Sequence, residues 1–283
     1  MNSKSLKKYF PIFVLPTLIA FSIAFIIPFF MGIYLSFCRF TTIKDAKWVG
    51  FKNYTSIAKD QMFIDSLIRT AEFTVLAVII INVGAFILAL LLTKKIPGTN
   101  IFRTIFFMPN LIGGIVLGYI WQEILNSITT KLFKFPFDSV TRSYGFWGLL
   151  IVVCWQLMGY MMIIYIAGIQ NIPEDVMEAA KIDGATPFQI LFKITIPLVM
   201  PSVTICLFLT LSNSFKLFDQ NLALNGNNDH TSLLALNIYK TFYGDNSGAG
   251  EGIGQAKAVI FFIMVACITF AQLRLTRSKE VES

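Results

Sequence analysis

Long apolar runs separated by short polar ones make up most of this chain. Six runs are long enough to cross a bilayer, near residues 10–37, 70–93, 102–125, 146–168, 195–217 and 253–273. A helix needs about 20 apolar residues to span a hydrocarbon core of roughly 30 Å. The pattern therefore predicts an all-α membrane protein with six transmembrane helices. Residues 1–9 form an N-terminal segment, 10–273 the membrane domain and 274–283 a C-terminal segment, with both termini on one side. The first run contains Pro16 and Pro28, which membrane helices tolerate because neighbouring groups satisfy the freed backbone. Lys4, Lys7 and Lys8 precede it, as in a signal peptide. The run is longer than a signal peptide's apolar region, so it is expected to stay as the first helix.

Composition supports the pattern. Hydrophobic residues are 55% of the chain and charged residues 14%, where a soluble domain carries roughly a quarter charged. The net charge of +7 suits basic anchors at lipid headgroups better than nucleic acid, which is excluded as a partner. The terminus-side segments carry 11 of the 23 Lys and Arg residues. They are the shorter ones, so their basic density is higher, and the positive-inside rule favours cytoplasmic termini. Cys38, Cys154, Cys206 and Cys267 lie in or at the ends of apolar runs without a CxxC pair and read as small buried residues. His230 is the single histidine. No metal site and no catalytic grouping is expected.

Gly114 and Gly118 stand at GxxxG spacing beside Gly113, which predicts close helix packing. Two stretches, 38–69 and 218–252, read as long polar loops. Within the second, Gly248 to Gly254 fits no phosphate-binding motif and is expected to be a flexible loop.

The stretch 171–197 is different. Pro173 suits a first helical position, and Glu174 and Asp175 suit the first turn. Gly184 can end a helix in the left-handed conformation, and Thr186 can cap a second short helix that opens on Pro187. Helix, turn, short helix is the expectation. Ala179 and Ala180 offer a small surface for a partner, with the Glu178 charge nearby. Physical reasoning leaves two readings open: a lever between two spans, or an amphipathic helix lying on the membrane.

Glu178, Ala179 and Ala180, then Gly184, then Ile194 and Pro197, resemble the EAA–G–I–LP motif of ABC-importer permeases, with Ile196 where Leu is usual. Phe102 to Pro109, Gly118 to Trp121, Gly50 to Tyr54, Ser214 to Asp219 and Ile238 to Phe242 resemble the MalF/UgpA-type sugar permeases. Asn225 to Asn228 departs from that family's Gly-Gly-Pro stretch. The resemblance implies the MetI-like ABC permease fold, six transmembrane helices with a cytoplasmic coupling helix, and transport of a sugar or oligosaccharide across the cell membrane. It assigns Glu178, Ala179, Ala180, Gly184, Ile194 and Pro197 to ATPase coupling. It also implies a second homologous permease, an ABC ATPase dimer and an extracytoplasmic solute-binding protein as partners. ATP and Mg would sit on the ATPase, and no cofactor on this chain.

Polar residues inside spans are costly and suggest a pathway or a polar partner. Matching to the maltose-type permease points to Gln156 and Tyr160 on the fourth span and to Asn213 and Lys216 on the fifth. For Asn82 the structural reading is favoured, as it is for a Lys216–Asp219 pair at i,i+3. A secondary transporter would show repeats and broken helices, and a membrane enzyme would show a catalytic cluster. Neither is evident. Permeases for glycerol-phosphate-like solutes, peptides or phosphonates are the near rivals.

Overall fold

The computed structural model describes residues 3–94, 97–134, 142–226, 231–244 and 250–278. Lys95, His230, Lys279 and the stretch 227–229 lie outside the described residues. The chain is mostly helical and divides into two compact units: residues 1–61 with 238–263, and 62–237 with 264–283.

In the first unit, α1 (Ser3–Phe21) continues through a π turn (Ser22–Ile26) into α2 (Ile27–Ser36). The π turn lies just before Pro28, whose ring would otherwise press on the carbonyl four residues back. Residues Phe10–Ser36 are long and apolar enough to cross a membrane. The stretch read as a polar loop is ordered here. A short hairpin pairs β1 (Cys38–Arg39) with β2 (Lys47–Trp48), and α3 (Lys52–Ile57) follows. Asn53 ties them together, donating to the carbonyls of Ser36 at 2.8 Å and Cys38 at 2.9 Å. A Cβ on Gly252 would overlap the Cys38 carbonyl. Gly252 belongs to α14 (Glu251–Arg277), so the expected flexible loop is a correction from Glu251 onward. The glycines there serve close approach, and Glu251 meets the helix N-terminus. Nearby, buried Lys257 pairs with Asp60 at 2.8 Å.

The second unit is built on α4 (Gln61–Leu92), α7 (Arg142–Gln170) and α11 (Met200–Phe215). Ala77, Ile81, Ala85 and Ala89 form one stripe of α4, all fully buried in the core that also holds Met161, Met162 and Cys206. Small residues four apart let helices approach. Asn82 sits among them with its amide satisfied. It donates to Val78 O at 2.8 Å and Thr210 Oγ1 at 3.3 Å, and accepts from the Tyr165 hydroxyl at 2.8 Å. Cys267 departs from the sequence reading: it is exposed, whereas the other three cysteines are buried.

Four helices are each long and apolar enough to cross a membrane, and two bent pairs pass as pairs. Both bends fall in or at the edge of the third and fifth runs, each of which the sequence presents as a single span. Between α5 (Thr99–Phe107) and α6 (Gly114–Phe133) the chain turns by 100°, where Pro109 starts a 3-10 turn and Gly113 leaves the helical conformation. The second bend, 69°, falls at Val199 before α11. Pro201 has no N–H for the Pro197 carbonyl, so the helical ladder is interrupted there. Polar stretch 218–252 carries two helices, α12 (Asp219–Asn225) and α13 (Leu234–Tyr243). Among the described residues, α8 (Glu174–Ile182), α9 (Pro187–Ile190) and α10 (Ile196–Leu198) are the remaining α-helices.

Gly114 and Gly118 do the packing their spacing predicts. A Cβ on Gly118 would stand 2.5 Å from the Ala223 Cβ, and one on Gly114 2.8 Å from the Asp219 Cβ. They seat α12 on α6. Gly159 does the same for α5 on α7, since a Cβ there would overlap the Phe106 carbonyl.

Candidate functional site

The 171–197 segment folds as helix, turn and short helix. Pro173 takes the N-cap position of α8 instead of the first helical one, a shift of a single residue. Glu174 and Asp175 occupy the first turn. Gly184 has φ +74°, and two bonds close the turn: Ala185 N to Ala180 O at 3.0 Å and Gly184 N to Lys181 O at 3.1 Å. This is a Schellman motif. Thr186 then forms a capping box with Gln189: Thr186 N donates to Gln189 Oε1 at 2.8 Å, and Gln189 N to Thr186 Oγ1 at 3.4 Å. Pro187 opens α9. A π turn (Leu191–Thr195) holds Ile194, half-buried, and Pro197 stands half-buried in α10.

The six motif residues do not share one surface. Ala179 and Glu178 are exposed, but Ala180 is buried at 8% exposure. That corrects the expectation that both alanines face a partner: the carbonyl of Ala180 closes the turn and its methyl packs inward. Glu178 lines a cavity of about 470 Å³ between α8 and the ends of α4 and α7, with Lys94, Glu174 and Lys181 also on its wall. The outward face of the segment carries Val176, Ala179, Ile182 and Phe188, all exposed.

Gln156, Asn213 and Lys216 meet at a second cavity of about 230 Å³, together with Asp219 and Gln220. Tyr160 is not on its wall. It packs against the core, 6.4 Å ring to ring from Phe107. Buried Gln156 donates to the Ile112 carbonyl at 3.1 Å and accepts from Gln220 at 2.6 Å. Ile112 lies in the break between α5 and α6, so one side chain joins that break, α7 and α12. Among the described residues no ion pair joins Lys216 to Asp219, and the expected pairing is corrected. Lys216 caps the C-terminus of α11 and Asp219 opens α12, so each charge answers a helix end. Gln220 was hidden in a stretch read as loop, and its polarity alone was no signal.

Residues 85–281 match the model of the binding-protein-dependent transport system inner membrane component family. The chain belongs to that family. Inner membrane components of this kind are transport permeases. Similar chains include the probable starch degradation products transport system permease protein AmyD of Thermoanaerobacterium thermosulfurigenes, 44% identical over 96% of this chain and 94% of that one. Another is the multiple sugar-binding transport system permease protein MsmF of Streptococcus mutans, 29% identical over 98% and 99%. Among solved structures, a bacterial ABC transporter that imports the acidic polysaccharide alginate has a TM-score of 0.82 at 20% identity, over 97% of this chain and 98% of that one. The MetNI methionine transporter scores 0.57 at 18% identity over 79% and 99%. The fold is the MetI-like permease fold, as the sequence resemblance implies.

Proposed function

We propose that this chain is one of two permease subunits of an ABC importer in the cell membrane. In this reading it has six spans and cytoplasmic termini, and it translocates a sugar or oligosaccharide delivered by an extracytoplasmic binding protein. ATP and Mg belong to the partner ATPase dimer. The observation that carries the substrate class is the identity with the starch-product permease, 44% across nearly the whole chain.

The geometry suits that reading. Gln156, Asn213 and Gln220 each offer amide donors and an acceptor, the chemistry that sugar hydroxyls need. Lys216 by itself would favour an anionic solute such as a glycerol phosphate. Asp219 shares the same wall and offsets that charge, which fits a neutral solute.

Coupling follows the chain. Ile182, Val176 and Phe188 form the face that the ATPase would grip. Movement of α8 passes through the bonded turn at Gly184 to α9, and then through α10 to α11, which carries Asn213 and ends at Lys216. Cells that make the chain with its partner subunits should accumulate labelled linear glucose oligomers and exclude glycerol 3-phosphate. Uptake of glycerol 3-phosphate alone would overturn the sugar assignment.

A further inference from the structure

The residues that follow the first span form an exposed aromatic cluster with unpaired cations. Phe37 is its centre. It stacks on Trp48 at 5.3 Å and 20°, and meets Phe51 at 5.3 Å and Tyr54 at 5.2 Å. Tyr34 reaches Trp48 at 5.7 Å. A cluster this well formed would ordinarily be buried, yet Trp48 is 61% and Phe51 71% exposed. Tyr34 lies in the last turns of α2, so the patch continues the exposed apolar surface of Phe10–Ser36 without a gap.

The charges beside it are mostly positive. Arg39 and Lys47 are direct cross-strand partners in the hairpin, an arrangement that is destabilising when nothing screens it. Both are exposed, as are Lys44 and Lys52. Among the described residues none of the four has an acidic partner. Asp45, the nearest acid in sequence, spends its Oδ1 on the backbone N–H groups of Thr41 and Thr42.

We propose that this hairpin is an interfacial anchor, which seats its aromatic rings in the headgroup layer and takes an anionic lipid phosphate beside Arg39 and Lys47. Trp and Tyr concentrate at membrane interfaces because one end is apolar and the other wet. A cation pair facing the same layer attracts anionic lipid. The proposal rests on Phe10–Ser36 being a span, and the test separates the two.

A full-length protein with Trp48 as its single tryptophan, the other three changed to Phe, is reconstituted into vesicles. Lipids brominated near the headgroup should quench Trp48 more than lipids brominated deep in the chain. Energy transfer from Trp48 to a dansylated anionic lipid should exceed transfer to a dansylated zwitterionic lipid, and the anionic preference should fall about fivefold per charge in Arg39→Gln and Lys47→Gln. A companion protein carrying Phe25→Trp as its only tryptophan reports the span itself. Deep quenching at position 25 with no shallow quenching at Trp48 would overturn the anchor and leave the span intact. No quenching at either position would overturn both. Lipid-independent Trp48 emission that changes only when a binding protein is added would overturn the anchor in favour of a protein partner.

Discussion

Gln220 donates to Gln156 at 2.6 Å, and Gln156 in turn donates to the Ile112 carbonyl. Three elements distant in sequence are joined through one amide, at the wall of the polar cavity. Leaving a buried partner unsatisfied costs about 1–3 kcal/mol, whereas replacing both partners by apolar groups is cheaper. We expect Gln156→Leu and Gln220→Leu each to lower thermal stability in detergent, and the double variant to lose less than the two losses added. Uptake should fall sharply in all three. Full additivity in stability would show that the pair is not coupled.

Gly184 tests the lever. A β-branched side chain at φ +74° meets a left-handed backbone that costs an L-residue roughly 1–2 kcal/mol. No neighbouring atom lies within 4 Å of the position a Cβ would take, so strain of the turn is expected to dominate over any Cβ clash. Gly184→Val should reach the membrane and bind the ATPase, but uptake should separate from ATP hydrolysis. Normal uptake by this variant would remove the coupling role from the turn.

That turn was legible in the sequence because its chemistry is local. Pro173, Gly184, Thr186 and Pro187 each act on the nearest few backbone groups, so their positions alone predict helix, turn and helix. Ala180 was misread because its burial depends on the body that α8 packs against. The helix at Asp219 was missed for the same reason, since it is seated by its packing on α6. The break at Ile112 does have local signals in Pro109 and Gly113, but they sit inside an apolar run that reads as one span. Of the cavity, Gln156, Asn213 and Lys216 came from polar residues in apolar runs, narrowed by the resemblance to maltose-type permeases, which also pointed to Tyr160, a residue off the cavity wall. Gln220 lies in a polar stretch, where one more polar residue carries no signal.

Gly159 and Gly113 form a contrasting pair. A methyl on Gly159 has no room beside the Phe106 carbonyl, and the obstruction is backbone, which gives little. Overpacking of this kind costs typically 1–3 kcal/mol or more. Gly159→Ala should reduce the yield of folded protein in the membrane. Gly113→Ala has open space around it and should stay within about 0.5 kcal/mol of the parent. Size-exclusion profiles of the two variants make the comparison.

Asp45 predicts an acid limit for the hairpin. The backbone N–H of Thr42 holds its carboxyl below the usual carboxylate range, and that of Thr41 adds to this. A depressed folded value means that the carboxylate stabilises the turn above the unfolded value of about 3.9, with the benefit lost as pH falls through the lower folded value. Trp48 emission should therefore be steady from neutral pH to about 5 and change below about 4. Asp45→Asn should remove that acid transition. A transition that persists in Asp45→Asn would assign it to another group.

The Schellman turn after α8 is made of main-chain bonds from Gly184 and Ala185 to Lys181 and Ala180. Apart from the glycine, its shape does not depend on what the side chains are. Val176, Ala179 and Ile182 can therefore be exchanged over evolutionary time without rebuilding the joint beneath them. If α8 is the proposed coupling helix, a permease of this design can be readdressed to a different motor by repainting one helical face.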